Sequence, residues 1–327
     1  MYYPIFRGKQ YEFITIRESI SKLKRSGKIV PVIEPVKNGK SSINSLYKCL
    51  SDLHDASLES IFIVNPRCMK GDFHKKKNDL ITIIEHIKTN FPQVSFGYWI
   101  GMETNDLDLF DFIKNNTSNF YLLHYSEYPN FQKILDSSGV ENQFQGHFLD
   151  VDSLSQSYID TIKSKRILLK DNFIRSEVNE EYRFEKDEFF SNDYLNFKEK
   201  AYQGFADYLV IGSKYEVGGQ TPETVAIHIT YEMNNKSCIR VRHCLSKHYL
   251  VNKDSGKMIR EALIELKVFL NDKPEILTYS KACIELMACL SNEQKNTSLA
   301  NIKKLSMNHH LELMVEVLED KDNTNLN

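Results

Sequence analysis

One pattern narrows the possible folds of this chain more than any other: short β-rich runs alternate with stretches whose apolar residues recur at helical spacing. "KIVPVIEPV" (28–36), "SIFIVNP" (60–66), "VSFGYWIG" (94–101), "NFYLLHYS" (119–126), "NQFQGHFLDV" (142–151), "KRILLKD" (165–171), "DYLVIG" (207–212) and "TVAIHITYE" (224–232) read as strands. Between them, "SINSLYKCLSDL" (42–53), "NDLITIIEHIKTNF" (78–91), "DLDLFDFIKNN" (106–116) and "NFQKILDSS" (130–138) place apolar residues at i, i+3 and i+4. Further helices are expected at 153–163 and near 194–204. Strands that alternate with helices pair in parallel through helical crossovers. Eight such strands predict an α/β fold, a TIM-like (β/α)8 barrel, with an open doubly wound sheet as the alternative.

One piece departs from that pattern. "TVAIHITYE" and "CIRVRHCLS" (238–246) are joined by "MNNKS", which is hairpin chemistry. The barrel therefore carries an extra ribbon or is distorted at closure by this terminal hairpin. From 254 onward the pattern is wholly helical, which predicts a C-terminal helical extension packed on the barrel. The expected division is 1–250 as the barrel-like domain, 251–320 as the extension and 321–327 as a polar, disordered tail. The stretch 171–193 is long for a plain connector, and loops of that length tend to be functional.

The bulk numbers exclude several classes. With 327 residues and 41% hydrophobic content, the chain can bury a sizeable core. A net charge of −2 supplies no global field toward DNA or anionic membrane. Six scattered cysteines contain no CxxC pair, which points to free thiols in a reducing cytoplasm. No apolar run approaches the roughly 20 residues that span a bilayer, and the N-terminus does not read as a signal peptide. "RCMKGDFHKKKND" (67–79) gathers Lys70, Lys75, Lys76 and Lys77; a charge run of this kind is usually a solvated face, with a local nucleic-acid contact as the alternative.

Barrel chemistry gathers at the C-terminal ends of the strands, so polar residues there are the candidates. Glu34, in "PVIEP", is unusual in a buried parallel strand; it reads as a general base or as the structural partner of Arg7 or Lys9. Arg7, Lys9 and Gln10 flank Gly8 in the opening "MYYPIFRGKQYEF", where they form either an anion site or a solvated turn. Asn65, His124, Lys170 and Asp171 end strands, and Arg175 follows closely. Together these offer an acid–base group (Glu34, His124, Asp171) and a ligand-binding group (Arg7, Lys9, Gln10, Asn65, Lys170, Arg175), which would suit a phosphate ester or nucleotide. His228, mid-strand, reads as an inward ligand contact or as a hydrogen-bonded structural histidine, and hairpin register can bring it to His243. His309 and His310 are adjacent on a helix, about 100° apart, so packing is the plainer reading. "GSKYEVGGQTPE" (212–223) matches neither a P-loop nor a dinucleotide fingerprint and reads as a flap or a flexible turn. No metal motif and no cofactor signature is readable.

The segments "YPIFRGKQYEF", "PVIEPV", "GFADYLVIG…GGQTPETVAIHITYE", "RVRHCLS" and "KKLSMNHH" together resemble an uncharacterised bacterial family related to the phage beta-protein family, over about residues 1–315. That resemblance implies a barrel-like fold, a role in anti-phage defence and a nuclease-like partner protein. It also favours the ligand reading of Arg7 and Lys9. It implies no reaction. Two functions from different classes follow: a site acting on a phosphate-bearing or nucleotide-like substrate, or a catalytically silent module that senses a ligand or holds a partner.

Overall fold

The computed structural model describes all residues except 69, 75–76, 117, 140–142, 217–220, 292–296 and 325–327, and all side chains of those described except 74, 77–78 and 320–324. In chain order the elements are β1 (Tyr2–Phe6), α1 (Gln10–Ser26), β2 (Val32–Ile33), α2 (Lys40–Asp55), β3 (Ser60–Ile63), α3 (Lys77–Asn90), β4 (Val94–Ile100), α4 (Asp106–Lys114), β5 (Phe120–His124), α5 (Phe131–Ser138), β6 (Phe144–Asp150), α6 (Gln156–Ile159) and β7 (Arg166–Leu169). There follow β8 (Asp187–Ser191), α7 (Asp193–Asn196), β9 (Gly204–Asp207), β10 (Ala226–Glu232), β11 (Ile239–Leu245), α8 (Ser255–Asp272), α9 (Ile276–Tyr279), α10 (Lys281–Ser291) and α11 (Leu299–Thr324). No helix is long and apolar enough to cross a membrane among the described residues.

Strands β1 to β7 and β9 form a closed parallel barrel in the order β1-β2-β3-β4-β5-β6-β7-β9. Closure comes from β1 against β9, with Tyr2 opposite Phe205 and Pro4 opposite Asp207. The chain is therefore a TIM-like (β/α)8 barrel, as the alternation predicts, but three of its staves differ from the expected ones. In place of the expected seventh stands Gly204–Asp207, which meets the expected 207–212 only at Asp207, because the chain turns immediately after it. The first stave is Tyr2–Phe6, a segment that does not read as a strand because Pro4 removes a ladder donor in its middle. The expected eighth stave, 224–232, lies outside the barrel: β10 pairs antiparallel with β11, and β11 with β8, in a separate three-stranded sheet.

Side chains fill the barrel interior. Tyr3, Ile5, Val32, Ile61, Ile63, Leu123, Phe148 and Ile167 belong to one buried cluster. Gly97 is part of this packing, since a Cβ there would stand 2.6 Å from Ile63 Cδ1 and 2.9 Å from Leu123 Cδ1. Gly146 is less forgiving, because its Cβ would meet a backbone atom, the Lys165 carbonyl oxygen, at 2.7 Å.

The chain divides into two compact units, and the division does not follow the expected cut at 250. The first comprises Met1–Gln10, Ile29–Asp171 and Asn196–Tyr208 and holds the barrel strands. The second comprises Tyr11–Lys28, Asn172–Leu195 and Leu209–Asn327. In the second unit Ile227, Ile229 and Cys244 on one face of the antiparallel sheet pack with Met258, Ala262 and Leu266 of α8 and Cys283 and Leu286 of α10. The strand β10 lies at the sheet's edge, and His309 of α11 covers it by bonding the Thr230 carbonyl. His310 bonds the Thr230 hydroxyl at 2.9 Å. Both histidines are buried, and burial lowers their pKa values to about 4 and about 3. Helix α1 joins this unit through Lys22 to Glu312, Lys304 to Glu18 and Asn308 to Glu18. Helix α11 continues to Thr324, into residues that read as a tail.

Candidate binding site at the barrel end

Side chains alternate along a strand, so the residue two positions beyond the last interior one emerges at the barrel's C-terminal end. Continuing the phase of the interior cluster gives Arg7 after Ile5, Glu34 after Val32, Asn65 after Ile63, Tyr125 after Leu123, Asp150 after Phe148 and Asp171 after Leu169. Tyr208, the last interior residue after β9, completes the ring.

Glu34 is fully buried in this layer. One of its oxygens accepts from the Arg7 guanidinium, and the other accepts from the Arg67 backbone N–H at 2.7 Å. The Arg7 guanidinium also lies 4.7 Å from the centre of the Tyr208 ring. Burial pushes the Tyr208 phenol up to about 12, with Arg7 opposing and Asp150, Arg67 and Asp171 also within electrostatic reach. The structure thus brings Arg7, Glu34 and Asp171 to one end of the barrel. It also commits the Glu34 carboxylate to a salt bridge, the structural role that the sequence left open.

Arg67, just past β3, is a cation that faces outward. Its guanidinium sits 3.4 Å from the Tyr125 ring centre and 5.1 Å from that of Trp99. It is solvent-exposed and forms no ion pair among the described residues. Tyr125 donates to Glu103, and burial with that bond raises its phenol to about 12. Asp150 accepts from the Ser153 hydroxyl at 3.0 Å. Its carboxyl is nevertheless held above its usual range, because burial outweighs the opposing pull of Ser153 and Arg67.

Beside this layer a cavity of about 870 Å³ opens between α3 and α4. Arg67, Asn65, Glu103 and Tyr125 line it, along with Trp99. Its apolar wall is Phe73, Leu80, Ile84, Phe96, Tyr98 and Phe112, and Asp108 and Asp111 add carboxylates. Among the residues singled out from sequence as site candidates, Asn65 alone lines it. Even Asn65 has its amide occupied, donating to the Trp99 carbonyl and accepting from the Trp99 N–H, both at 2.8 Å, so that it continues the β3–β4 pairing beyond the strand.

The other expected site residues go elsewhere. His124 is out of phase with the interior of β5 and is fully buried. Its Nε2 meets His147 Nδ1 at 2.8 Å and its Nδ1 meets the Tyr158 hydroxyl at 2.9 Å. Burial carries both imidazoles well below their ordinary pKa, His147 to about 3. His124 therefore turns away from the layer that holds Glu34 and Asp171. Lys170 is likewise out of phase with Leu169, its neighbour in the barrel interior. Gln10 is exposed at the start of α1, and Lys9 is half-buried just before it. Arg175 and His228 belong to the second unit, where Arg175 bonds Glu216 and the Lys214 carbonyl, each at 2.7 Å. Lys75 and Lys76, and Gly218 and Gly219 of the expected flap, lie outside the described residues.

Sequence reading missed Arg67, Tyr125, Asp150 and Tyr208. For Tyr125 the signal was present: in "LLHYS" the interior residue Leu123 selects Tyr125, and His124 is the neighbour that turns away. Among the described residues no three His, Cys, Asp or Glu side chains group as a metal ion requires. No protein-family model and no curated protein matches this chain.

Proposed function

We propose that the barrel end binds a phosphate-bearing, nucleotide-like ligand in the cleft between α3 and α4. The observation that carries this reading is the combination at one cavity mouth of an exposed, unpaired arginine and two aromatic rings, leading into an aromatic-lined cleft of about 870 Å³. A cleft of that volume lies within the range of small-molecule sites. Arg67 supplies two parallel N–H donors for phosphate oxygens. Phe96, Tyr98 and Phe112 supply faces for a base, and Asp108 and Asp111 accept from its amino groups or from sugar hydroxyls. Asp150 belongs to the layer beside the cleft and does not line it; its carboxyl holds its proton to higher pH than a solvated one, which suits it to pass a proton to a leaving oxygen that extends from the cleft toward that layer. Arg7 and Glu34 neutralise each other and set the position of Arg67 through its backbone. The placement of this activity in anti-phage defence beside a nuclease-like partner rests on the family resemblance alone.

The chain has a single tryptophan, Trp99, which touches Arg67 and lines the cleft, so its fluorescence reports on this site. Titration with nucleoside mono- and triphosphates is expected to change Trp99 emission saturably, and Arg67→Ala is expected to weaken the response at least tenfold. An unchanged affinity in Arg67→Ala sinks the proposal. Binding without turnover, and indifferent to Asp150→Asn, would favour the silent sensing module over the enzyme.

A further inference from the structure

The second unit contains a polar chain, buried at His243 and Glu188 and half-buried at His228, that the barrel site does not use. In the antiparallel pair His228 stands directly opposite His243, and Glu188 lies on the same face of the neighbouring strand β8. His243 Nε2 is 2.9 Å from Glu188 Oε1, and His243 Nδ1 is 2.7 Å from His228 Nδ1. A carboxylate can only accept, so His243 carries its proton on Nε2 and donates it to Glu188. With His243 neutral, its Nδ1 is an acceptor, and His228 donates to it from Nδ1. That leaves the lone pair on His228 Nε2, which accepts no hydrogen bond among the described residues.

Aromatic rings hold this arrangement in place. Tyr182 stacks on His243 with ring centres 4.3 Å apart, and Phe173 and Tyr182 meet the His228 ring edge-on at 4.9 and 5.0 Å. His228 lines a cavity of about 240 Å³ whose other walls include Arg175, Lys303, Ser176, Ser306 and Asn179. His228 thus shares one cavity with two cations and two hydroxyls; Glu177 also lines it, and Arg175 reaches it while paired with Glu216, so an anion entering here competes with that carboxylate. The cations attract an anion, and the nitrogen needs a donor.

The geometry points to a second ligand site in this unit, distinct from the barrel end, for a small oxyanion that still carries one proton, such as hydrogenphosphate or a phosphate monoester. Its P–O–H donates to His228 Nε2, while Arg175 and Lys303 take the unprotonated oxygens. Glu188 and His243 are positioning residues: they fix which nitrogen of His228 bears hydrogen. The neutral state this requires is supported by burial and by the cations Lys303 and Arg175, which hold the His228 pKa well below its ordinary value.

The test is ring-nitrogen NMR on the full chain at pH 6, with inorganic phosphate as the probe. Free protein is expected to show His228 protonated on Nδ1 and bare on Nε2, and His243 protonated on Nε2. Phosphate is expected to shift His228 Nε2 saturably, and Arg175→Ala, a change at a partly exposed side chain, is expected to weaken that response at least tenfold. Arg67→Ala, in the other unit, is expected to leave it unchanged. A proton on His228 Nε2 in the free protein, an unmoved signal, or a response lost in Arg67→Ala but kept in Arg175→Ala would overturn the assignment.

Discussion

Neutralising Glu34 tests the centre of the barrel end most directly. The side chains of Arg7 and Glu34 keep only 8% and 1% of their exposure, so water does little to screen them. Removing one member of such a pair strands the other charge, at a cost of roughly 3–5 kcal/mol. Glu34→Gln keeps an oxygen for the Arg67 N–H, so its effect isolates the lost charge from that lost bond. Near 2–4 °C per kcal/mol for a unit of this size, the melting temperature should fall by roughly 6–20 °C. Arg7→Met should cost a similar amount, because it leaves a carboxylate buried. The double variant should be less destabilised than the two singles added together, by about 2 kcal/mol or more. Urea denaturation followed by Trp99 fluorescence measures all three, since that tryptophan lies in the barrel core. Single variants that each cost under about 1 kcal/mol, or a strictly additive cycle, would show the pair to be solvent-screened and the reasoning wrong.

Acid should weaken the barrel through His124 and His147. Burial depresses both folded-state pKa values, so below pH 6.5 the unfolded chain takes up protons that the folded chain refuses. Stability is therefore full above about pH 6.5 and falls as pH drops, for His147 toward about 3, by roughly 1.4 kcal/mol per pH unit for each histidine that stays neutral in the folded chain. His147→Phe should flatten that slope by about one proton, as read from urea midpoints between pH 6 and 4. Gly97→Ala should destabilise by roughly 1–3 kcal/mol through overpacking against Ile63 and Leu123, and thermal melts check it. Gly146→Ala should cost more, because its new methyl would meet the Lys165 carbonyl, which cannot rotate away as a side chain can.

The barrel was legible because its signal is local and repeated. Parallel strands with crossovers leave the same strand–helix signature each time, and β3 through β7 fall inside the runs that the pattern marks. The ends of the barrel were harder. Pro4 disguises β1, and β10 was counted as a stave although Val225, Ile227, Ile229 and Tyr231 alternate with less apolar residues. That alternation marks a strand buried on one face, which suits an antiparallel sheet better than a barrel wall.

The chain's own residue pattern settled the kind of fold, the helical character beyond 254 and the placing of charge at strand ends, since each depends on neighbours a few positions apart. Which charges meet depended on tertiary structure, because side-chain phase and strand order act over long separations. Arg7 finds Glu34 only when β1 lies beside β2, and His124 turns to His147 only because β5 is out of phase there. Arg67 becomes an exposed cation of the cleft, where Lys88 is another, only because Trp99 and Tyr125, from two later strands, supply the rings beneath it. Contacts of that range follow from how the strands close into a ring, and no local spacing encodes them.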